Sequence, residues 1–240
     1  MKKTKVLQID INKGTQWGDK NTNKFIREFC IPSVQNFCSK YNYDYDLITE
    51  SFYEKKYGQF DFLATKEKHY SFERYFHFKG DFDNIVYIDN DVYVHRDCEP
   101  LPKINGLMNA KEPEGKSSNI FREVNSLPIE FSYYNSGVTM CDNATATFLS
   151  NYMINRLDNY ERAKGKNTDN MMLNEFIIKN KLIFRELDSK WNYMPFLPNS
   201  TKIENFNFFH FVGIAGKKLV NFFQSQNYSI DSFLDNIHFK

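Results

Sequence analysis

The stretch Asn84-Ile85-Val86-Tyr87-Ile88-Asp89-Asn90-Asp91-Val92-Tyr93-Val94 decides the fold class of this chain. Its first half is a short run of β-branched and aromatic residues, which predicts a buried strand of a sheet covered on both faces. Open α/β sheets bind their ligands at the carboxyl ends of such strands. Asp89 and Asp91 follow the run directly, and two dehydrated carboxylates at that edge repel each other unless a divalent cation binds them. The pattern predicts a metal site, with an Asx turn as the structural alternative.

Size and composition indicate one globular α/β domain over residues 1–240. The chain has 41% hydrophobic residues, with 24 Phe and 15 Tyr, which suffices for a single large core. Its 31 basic and 30 acidic residues leave a net charge of +1, so composition offers no basic surface for nucleic acid or an anionic membrane. No segment approaches the roughly 20 apolar residues of a transmembrane helix. The four cysteines show no zinc spacing, so we expect free thiols and a cytoplasmic protein.

A β-α-β unit is predicted at the start of the chain. Lys5 to Ile11 and Asp44 to Thr49 have strand character. Helical spacing connects them from Asn23 to Tyr41, with Pro32 bending or restarting the helix. Such a crossover is almost always right-handed and joins parallel strands. Residues 60–79 then predict a helix that leads into the strand quoted above.

The second half of the chain predicts loops, strands and two helices. Residues 105–128 are rich in Gly, Ser, Asn and charge, which predicts loops around a short strand at Leu107 to Lys111. Tyr133 to Cys141 has strand character, with an Asn-Ser-Gly break that brings backbone close to a ligand. A helix is predicted over residues 144–160, with a buried face formed by Phe148, Tyr152, Ile154 and Leu157. A second helix is predicted to begin at Thr168, with an apolar stripe of Met172, Leu173, Phe176 and Ile177. Strands are predicted over residues 182–186 and 205–212.

Three candidate metal ligands, Asp89, Asp91 and His210, lie at or near the ends of predicted apolar strands. Two carboxylates and one imidazole favour Mn²⁺ over a dedicated Mg²⁺ or Ca²⁺ cage, because those ions prefer all-oxygen shells. A Gly-rich turn from Gly213 to Lys218 follows the histidine, and its amides with a lysine would hold phosphate oxygens beside the metal. It is not a Walker motif, since only two residues separate its glycines. Taken singly, the histidine also fits a packed side chain, and the turn fits an ordinary surface loop.

Five segments resemble, in order, motifs of the metal-dependent GT-A glycosyltransferases and especially of glycosyltransferase family 8. They are Val86 to Asp91 (Tyr-x-Asp-x-Asp), Tyr134 to Val138 (Phe-Asn-Ser-Gly-Val), Asp169 to Asn174 (Asp-Gln-x-x-Leu-Asn), Trp191-Asn192 (Trp-Asn) and His210 to Gly213 (His-Phe-x-Gly). With the opening β-α-β unit, the resemblance covers nearly the whole chain. It implies a GT-A (Rossmann-like) α/β fold, with a mixed, mostly parallel central sheet flanked by helices. The last segment also resembles the galactosyl and xylosyl transferases of the Golgi, another GT-A group.

The resemblance implies an Mn²⁺-dependent glycosyltransferase, with Mg²⁺ as the alternative cation. Its donor would be a nucleotide-sugar, specifically a UDP-sugar, and its acceptor a hydroxyl of a glycan or glycoconjugate, with retention of anomeric configuration. The alternative is inversion, which requires a carboxylate base, and Asp169 is the candidate for that role. The implied metal ligands are Asp89, Asp91 and His210. The implied donor-binding residues are Asp10, Ile11, Asn12, Trp17, Arg74, Asn90, Gly213 and Lys217. Asn135 and Ser136 would bind the acceptor or the sugar, and Asp169 and Asn170 would be catalytic.

Two positions depart from the family pattern. Asn170 stands where family 8 usually has Gln, which shortens a side chain expected near the reactive face of the sugar. The family's lysine normally follows the histidine by six positions, and Gly216 occupies that place here.

Two further hypotheses belong to other functional classes. Asp89-Asn90-Asp91-Val92 also matches the nucleophile motif of haloacid dehalogenase-like phosphatases, in which the first Asp attacks phosphorus. That motif normally lies near the start of a chain, whereas a complete β-α-β unit precedes it here. The third hypothesis is a noncatalytic nucleotide-sugar binding module that keeps the fold and the ligands without turnover.

Overall fold

The structure is a computed structural model that describes residues 3–11, 20–52, 72–158, 169–195, 205–211, 218, 220–221, 223 and 229–235. The strands in these ranges are β1 (Thr4–Ile9), β2 (Asp44–Ile48), β3 (Asn84–Ile88), β4 (Val92–Val94), β5 (Leu107–Lys111), β6 (Tyr134–Asp142), β7 (Phe184–Leu187) and β8 (Phe208–His210). The α-helices are α1 (Lys20–Phe25), α2 (Ile31–Tyr41), α3 (Glu73–Phe76), α4 (Lys116–Val124), α5 (Asn143–Asp158), α6 (Asp169–Lys179) and α7 (Ile230–Asp235). Shorter helical pieces are a π-helical segment at Ile26–Cys30 and 3-10 turns at Lys181–Ile183 and Ser189–Trp191.

Six strands form the central sheet in the order β2-β1-β3-β6-β5-β7. β1 pairs in parallel with β2 and β3, and β5 pairs in parallel with β7. β6 is antiparallel to both of its neighbours, β3 and β5. Five strands therefore run in one direction and β6 runs in the other, which confirms the predicted mixed, mostly parallel sheet. As a result, the carboxyl ends of β1, β3 and β5 and the amino end of β6 meet at one edge, here named the carboxyl edge.

Helices cover both faces of this sheet, as the strand pattern predicts. All five residues of β3 are buried. Ile85 and Tyr87 pack on one face in a core shared with α5 and α6. Val86 and Ile88 pack on the other face, in a core shared with α2. Because successive residues of a strand point to opposite faces, an unbroken apolar strand requires such cover on both sides.

The predicted first helix contains a π-helical segment directly before Pro32. Ile31 N–H donates to the Ile26 carbonyl, five residues back, at the end of that segment. Proline has no N–H and its ring crowds the carbonyl four residues earlier, so the α-helical hydrogen-bond pattern is interrupted at this position. The wider π turn accommodates the proline, and α2 then runs to Tyr41 and ends at Asn42 in the left-handed conformation.

The strand predicted at Leu107 to Lys111 is β5, but the prediction of loops after it is wrong over residues 116–124, because α4 lies there. Its sequence is mostly polar, and contacts from outside the helix stabilise it. Arg122 forms hydrogen bonds of 2.6 and 2.7 Å with the two Glu114 oxygens and donates to the Phe131 carbonyl at 2.9 Å. The ring of Phe121 packs 5.3 Å from that of Tyr133.

The predicted buried face of α5 is also wrong. Ala146, Leu149 and Met153 have no exposed surface, whereas Phe148 is 47% exposed. Ala146, Leu149 and Met153 lie in the core formed with the sheet, and Phe148 lies toward α6, where its ring centroid is 5.3 Å from that of Phe176. The side chain of Leu157 lies outside the described part of the chain. Of the helix predicted over residues 60–79, the structure describes only the part from residue 72, where α3 lies.

Candidate active site

Two polar clusters and a buried arginine occupy the carboxyl edge. Asp89 and Asp91 follow β3, and Asn135 and Ser136 lie at the start of β6, which runs in the opposite direction. Asp89 N–H donates to the Gly137 carbonyl at 2.7 Å, which joins the two strand ends directly. Residues far apart in the chain therefore come together at this edge.

Asp89, Asp91 and His210 form a cluster that could hold a metal ion. One potential ligand atom from each lies within 4.8 Å of the others. Nε2 of His210 is 3.2 Å from Asp91 Oδ1 and 3.8 Å from Asp89 Oδ2. The histidine is only 2% exposed, whereas both carboxylates are partly open to solvent. Two hard oxygen donors and one imidazole are a donor set that suits Mn²⁺.

A second, two-stranded sheet brings the histidine to the aspartates. β4 begins one residue after Asp91 and pairs antiparallel with β8, so that Val92 lies opposite His210. Phe211 N–H extends the pairing by donating to the Asp91 carbonyl at 3.0 Å. The register of this ladder thereby places the imidazole beside the carboxylates.

Gly137 leaves the space that the imidazole occupies. A Cβ atom at this position would lie 2.2 Å from Cε1 and 2.8 Å from Nδ1 of His210. The Asn-Ser-Gly break thus brings backbone close to the histidine ring. It appears in the sheet as a register shift, since Asn109 pairs with Thr139 but Lys111 pairs with Tyr134.

The charge of His210 depends on its surroundings. Burial of the imidazole disfavours its protonated form, but the carboxylates of Asp91 and Asp89 outweigh this and raise the pKa of His210 above its ordinary value. A positive imidazolium is thereby favoured between the carboxylates when no cation is bound. A metal ion would have to displace that proton.

Asp89 has an aromatic neighbour, Tyr87, and a cationic neighbour, Arg74. The Tyr87 hydroxyl donates to Asp89 Oδ1 at 2.5 Å, and an Arg74 nitrogen lies 3.7 Å from the same oxygen. The guanidinium carbon of Arg74 sits 3.8 Å from the centre of the Tyr87 ring. Burial works against the charge of Arg74, but Tyr87, Asp169 and Asp89 together raise its pKa. Arg74 is therefore a permanent positive charge inside the site.

Arg74 also connects the metal cluster to the predicted catalytic position Asp169. Its side chain is 1% exposed and donates to Asp169 Oδ2 at 2.8 Å and to the Ser136 carbonyl at 2.6 Å. The Ser136 hydroxyl donates to the same Asp169 oxygen. One oxygen of Asp169 therefore already accepts two hydrogen bonds, one of them charge-assisted.

Glu112 is a site residue that the sequence reasoning missed. It follows β5 directly and is 8% exposed, and its Oε2 accepts from Asn135 Nδ2 at 3.0 Å and from Asn170 Nδ2 at 3.3 Å. Burial raises the pKa of Glu112, and the hydrogen bond from Asn135 partly offsets that effect. Its signal was available, because a carboxylate directly after a predicted strand is the same pattern that identified Asp89.

The nucleoside side of the predicted site is described in part. Asp10 follows β1 and accepts hydrogen bonds of 2.9 and 3.2 Å from Arg27, a residue of the π-helical segment that the sequence reasoning did not single out. Ile11 is buried, and Asn90 is partly exposed between the two aspartates. Four predicted donor-binding residues, Asn12, Trp17, Gly213 and Lys217, lie outside the described residues.

Two further predictions concern free thiols and membrane-spanning helices. All four cysteines are free and buried. Within the described ranges, no helix combines the length and the apolarity needed to cross a bilayer.

Comparison with known proteins identifies a family. The sequence profile described as "Glycosyl transferase family 8" matches residues 16–217. No curated protein matches the chain in sequence. The matched range contains the two aspartates, the histidine, Arg74 and Asp169.

Several solved structures share the fold. A glycosyltransferase involved in glycosylation of the major capsid of PBCV-1 aligns with a TM-score of 0.57 at 12% identity, covering 93% of this chain and all of its own. The galactosyltransferase LgtC, solved with donor and acceptor sugar analogs, aligns at 0.53 and 14% identity, covering 96% and 99%. The bifunctional glycosyltransferase WbbM aligns at 0.55 and 14%, covering 88% of this chain and 46% of its own. At these identities, the likeness establishes the GT-A fold.

Proposed function

The chain belongs to glycosyltransferase family 8, and from that premise we propose that it is a metal-dependent enzyme that transfers a sugar from a nucleotide-sugar to a hydroxyl of a glycan or glycoconjugate. The proposed donor is a UDP-sugar, and the proposed outcome is retention at the anomeric carbon. The observation that carries the proposal is the cluster of Asp89, Asp91 and His210 within 4.8 Å at the carboxyl edge of this fold.

The residues of the cluster fit a divalent cation. Asp89 and Asp91 supply carboxylate oxygens, and His210 supplies Nε2 from a buried ring. Mn²⁺ is the proposed ion because it accepts mixed oxygen and nitrogen ligands more readily than Mg²⁺ does. When bound, the cation would supply Lewis-acid stabilisation of the negative charge that develops on the leaving diphosphate.

The donor-binding roles are assigned by position. Asp10, Ile11, Asn12 and Trp17 would hold the nucleoside, and Gly213 and Lys217 would hold phosphate oxygens. Asn90 would contact the ribose or the sugar. Arg74 faces the same region, and since it is 1% exposed and paired with Asp169, we assign it to holding that carboxylate and Asp89 in place.

Retention agrees with the state of Asp169. An inverting reaction needs a free carboxylate to take the proton of the acceptor hydroxyl. Oδ2 of Asp169 already accepts hydrogen bonds from Arg74 and from Ser136, so that oxygen is not free to take the proton. In the proposed reaction the acceptor oxygen bonds to the anomeric carbon on the face that the phosphate leaves, and the departing phosphate oxygen takes the proton. Asp169 and Asn170, with Asn135 and Ser136, would orient the sugar and the acceptor.

A screen of nucleotide-sugars tests the function. The wild-type protein with Mn²⁺ should release UDP from one donor, and Asp91→Asn should abolish that release because it removes a ligand charge. Asp97→Asn is the matched control, since Asp97 follows the adjacent strand β4 but its carboxylate is exposed. Equal release by wild type and Asp91→Asn would refute the site.

The same assay separates the alternatives. A noncatalytic module would bind a nucleotide-sugar without releasing nucleotide. A phosphatase would release phosphate from p-nitrophenyl phosphate without any sugar donor, but membership of a glycosyltransferase family leaves that alternative without support. The single domain over residues 1–240 and the cytoplasmic location stay predictions, and the four free thiols agree with the latter.

A further inference from the structure

Asn192 contacts the proposed metal ligand His210 on the side away from the aspartates. Its Oδ1 lies 2.9 Å from Nδ1 of the histidine, while Nε2 faces Asp91 at 3.2 Å. Asn192 has no exposed surface and follows the 3-10 turn at Ser189–Trp191, where its N–H donates to the Ser189 carbonyl. The side chain therefore has a fixed backbone and no access to water.

The orientation of the Asn192 amide follows from a backbone donor two contacts away. Gly137 N–H donates to the side chain of Asn135 at 2.8 Å, and a backbone N–H can only donate, so the atom that it meets is the oxygen of Asn135. Asn192 reaches that same oxygen at 2.9 Å, and must do so with its NH₂ group. Its own oxygen consequently faces His210.

The tautomer of His210 is then determined. Nδ1 must carry a hydrogen, because it lies against an oxygen. In the neutral ring the lone pair is therefore on Nε2, the nitrogen that faces the two carboxylates. A metal-ligating histidine needs this state, and a hydrogen-bond acceptor on the other nitrogen is the usual means of fixing it.

The neighbouring backbone N–H fixes a second amide by the same logic. Ser136 N–H donates to Asn170 Oδ1 at 2.8 Å, so Asn170 points its NH₂ group at Glu112. Asn135 donates its NH₂ group to the same Glu112 oxygen. The N–H groups of Ser136 and Gly137 in β6 thus set the orientations of the Asn170 and Asn135 amides, and both amides donate to the buried Glu112 carboxylate. Asn135 in turn holds Asn192 beside the metal cluster, whereas Asn170 belongs to the proposed sugar site.

We propose that Asn192 is a positioning residue for cation binding: held by Asn135, it keeps the hydrogen of His210 on Nδ1 and presents Nε2 to the metal. This inference rests on the proposed metal site. It makes Asn192 a hydrogen-bond acceptor for His210. A residue with only a packing role would tolerate different replacement side chains, so substitutions distinguish the two roles.

Two substitutions separate the roles. Leucine has the same branched arrangement of four side-chain heavy atoms as asparagine but accepts no hydrogen bond, so Asn192→Leu should weaken Mn²⁺ binding by about tenfold or more. Aspartate keeps the acceptor for Nδ1–H but places an oxygen against Asn135 Oδ1 where asparagine has its NH₂ group, so Asn192→Asp should lose less affinity than Asn192→Leu. A packing role predicts the reverse order, because a buried carboxylate costs more than a buried leucine. Asn84→Leu is the matched control, since Asn84 is 6% exposed, donates to Thr4 and lies at the opposite end of β3.

Mn²⁺ affinity would be measured by calorimetric titration of the full chain without nucleotide, with circular dichroism melts to compare folding. Absence of Mn²⁺ binding by wild type would overturn the proposed metal site itself. Wild-type affinity in Asn192→Leu, or equal losses in the leucine and aspartate variants, would overturn the role of Asn192 alone. Should Asn192→Leu fail to fold, long-range ¹H–¹⁵N NMR of the wild-type ring at alkaline pH decides, because protonation at Nε2 in place of Nδ1 would overturn the inference.

Discussion

Replacing Gly137 with alanine should displace the imidazole of His210 and weaken cation binding. The added Cβ would lie 2.2 Å from Cε1 of the ring. Unstrained carbon atoms meet at about 3.5 Å, so the ring would have to retreat by roughly 1.3 Å. Gly80 and Gly106 are the described glycines with positive φ, so alanine at position 137 acts through its Cβ and not through the backbone.

The consequence for the metal site follows from that displacement. Ligand distances in metal sites are held within about 0.2 Å, several times less than the required shift. We therefore expect Mn²⁺ affinity to fall by about 100-fold, and the free energy of unfolding of the metal-free protein to fall by about 1–3 kcal/mol from overpacking. Calorimetric titration with Mn²⁺ and a thermal melt in EDTA would measure the two effects.

A matched control is Gly115→Ala. Gly115 has an extended backbone, and a Cβ there would meet its nearest atom, the Pro113 carbonyl oxygen, at an ordinary 3.8 Å. This variant should bind Mn²⁺ as wild type does. If Gly137→Ala stays folded and binds Mn²⁺ within about threefold of wild type, the imidazole is not the ligand inferred from the geometry.

Two further predictions concern the ligands directly. Tyr87→Phe removes the hydroxyl that donates to Asp89 and keeps the ring against Arg74. Mn²⁺ affinity measured by calorimetry should therefore fall by about three- to tenfold. An unchanged affinity would show that Asp89 is positioned without the Tyr87 hydroxyl. The raised pKa of His210 means that protons compete with the cation already at higher pH than for an ordinary histidine. Mn²⁺ affinity should therefore fall by up to about tenfold per pH unit on acidification below that pKa, and a flat profile between about pH 5.5 and pH 8 would contradict it.

Protonation of His210 has the opposite effect on the metal-free protein. A pKa that is higher in the folded than in the unfolded state adds stability below the unfolded value, and this stability is lost as pH rises through the folded value. The metal-free protein should thus lose stability on alkalinisation while its metal affinity increases. The same thermal melts, repeated across pH, distinguish the two trends.

Elements with a strong local pattern could be predicted from the sequence. β3 is an unbroken apolar run, and its burial on both faces follows from that pattern. The stripe of Met172, Leu173, Phe176 and Ile177 likewise predicted the buried side of α6 correctly. In both cases the neighbouring residues of the chain carry the information.

Elements stabilised by contacts outside their own segment could not be predicted in this way. α4 has a polar sequence, and the clamp of Arg122 on Glu114 together with the carbonyl of Phe131 stabilises it from outside the helix. α5 places Ala146 in the core against the sheet and Phe148 beside Phe176 of α6, with 5.3 Å between the two ring centroids. Periodicity alone does not contain these distances.

The same division applies to the candidate site. Residue types and their order along the chain were sufficient to nominate two aspartates and one histidine as ligands and to indicate the family. Only the tertiary structure decided that the pairing of β4 with β8 brings His210 to Asp91, that Gly137 makes room for the ring, and that Asn192 lies against its Nδ1. The physical reason is that a hydrogen bond or a close contact depends on separations of a few ångströms between atoms, and strand register sets those separations between segments that are remote in sequence.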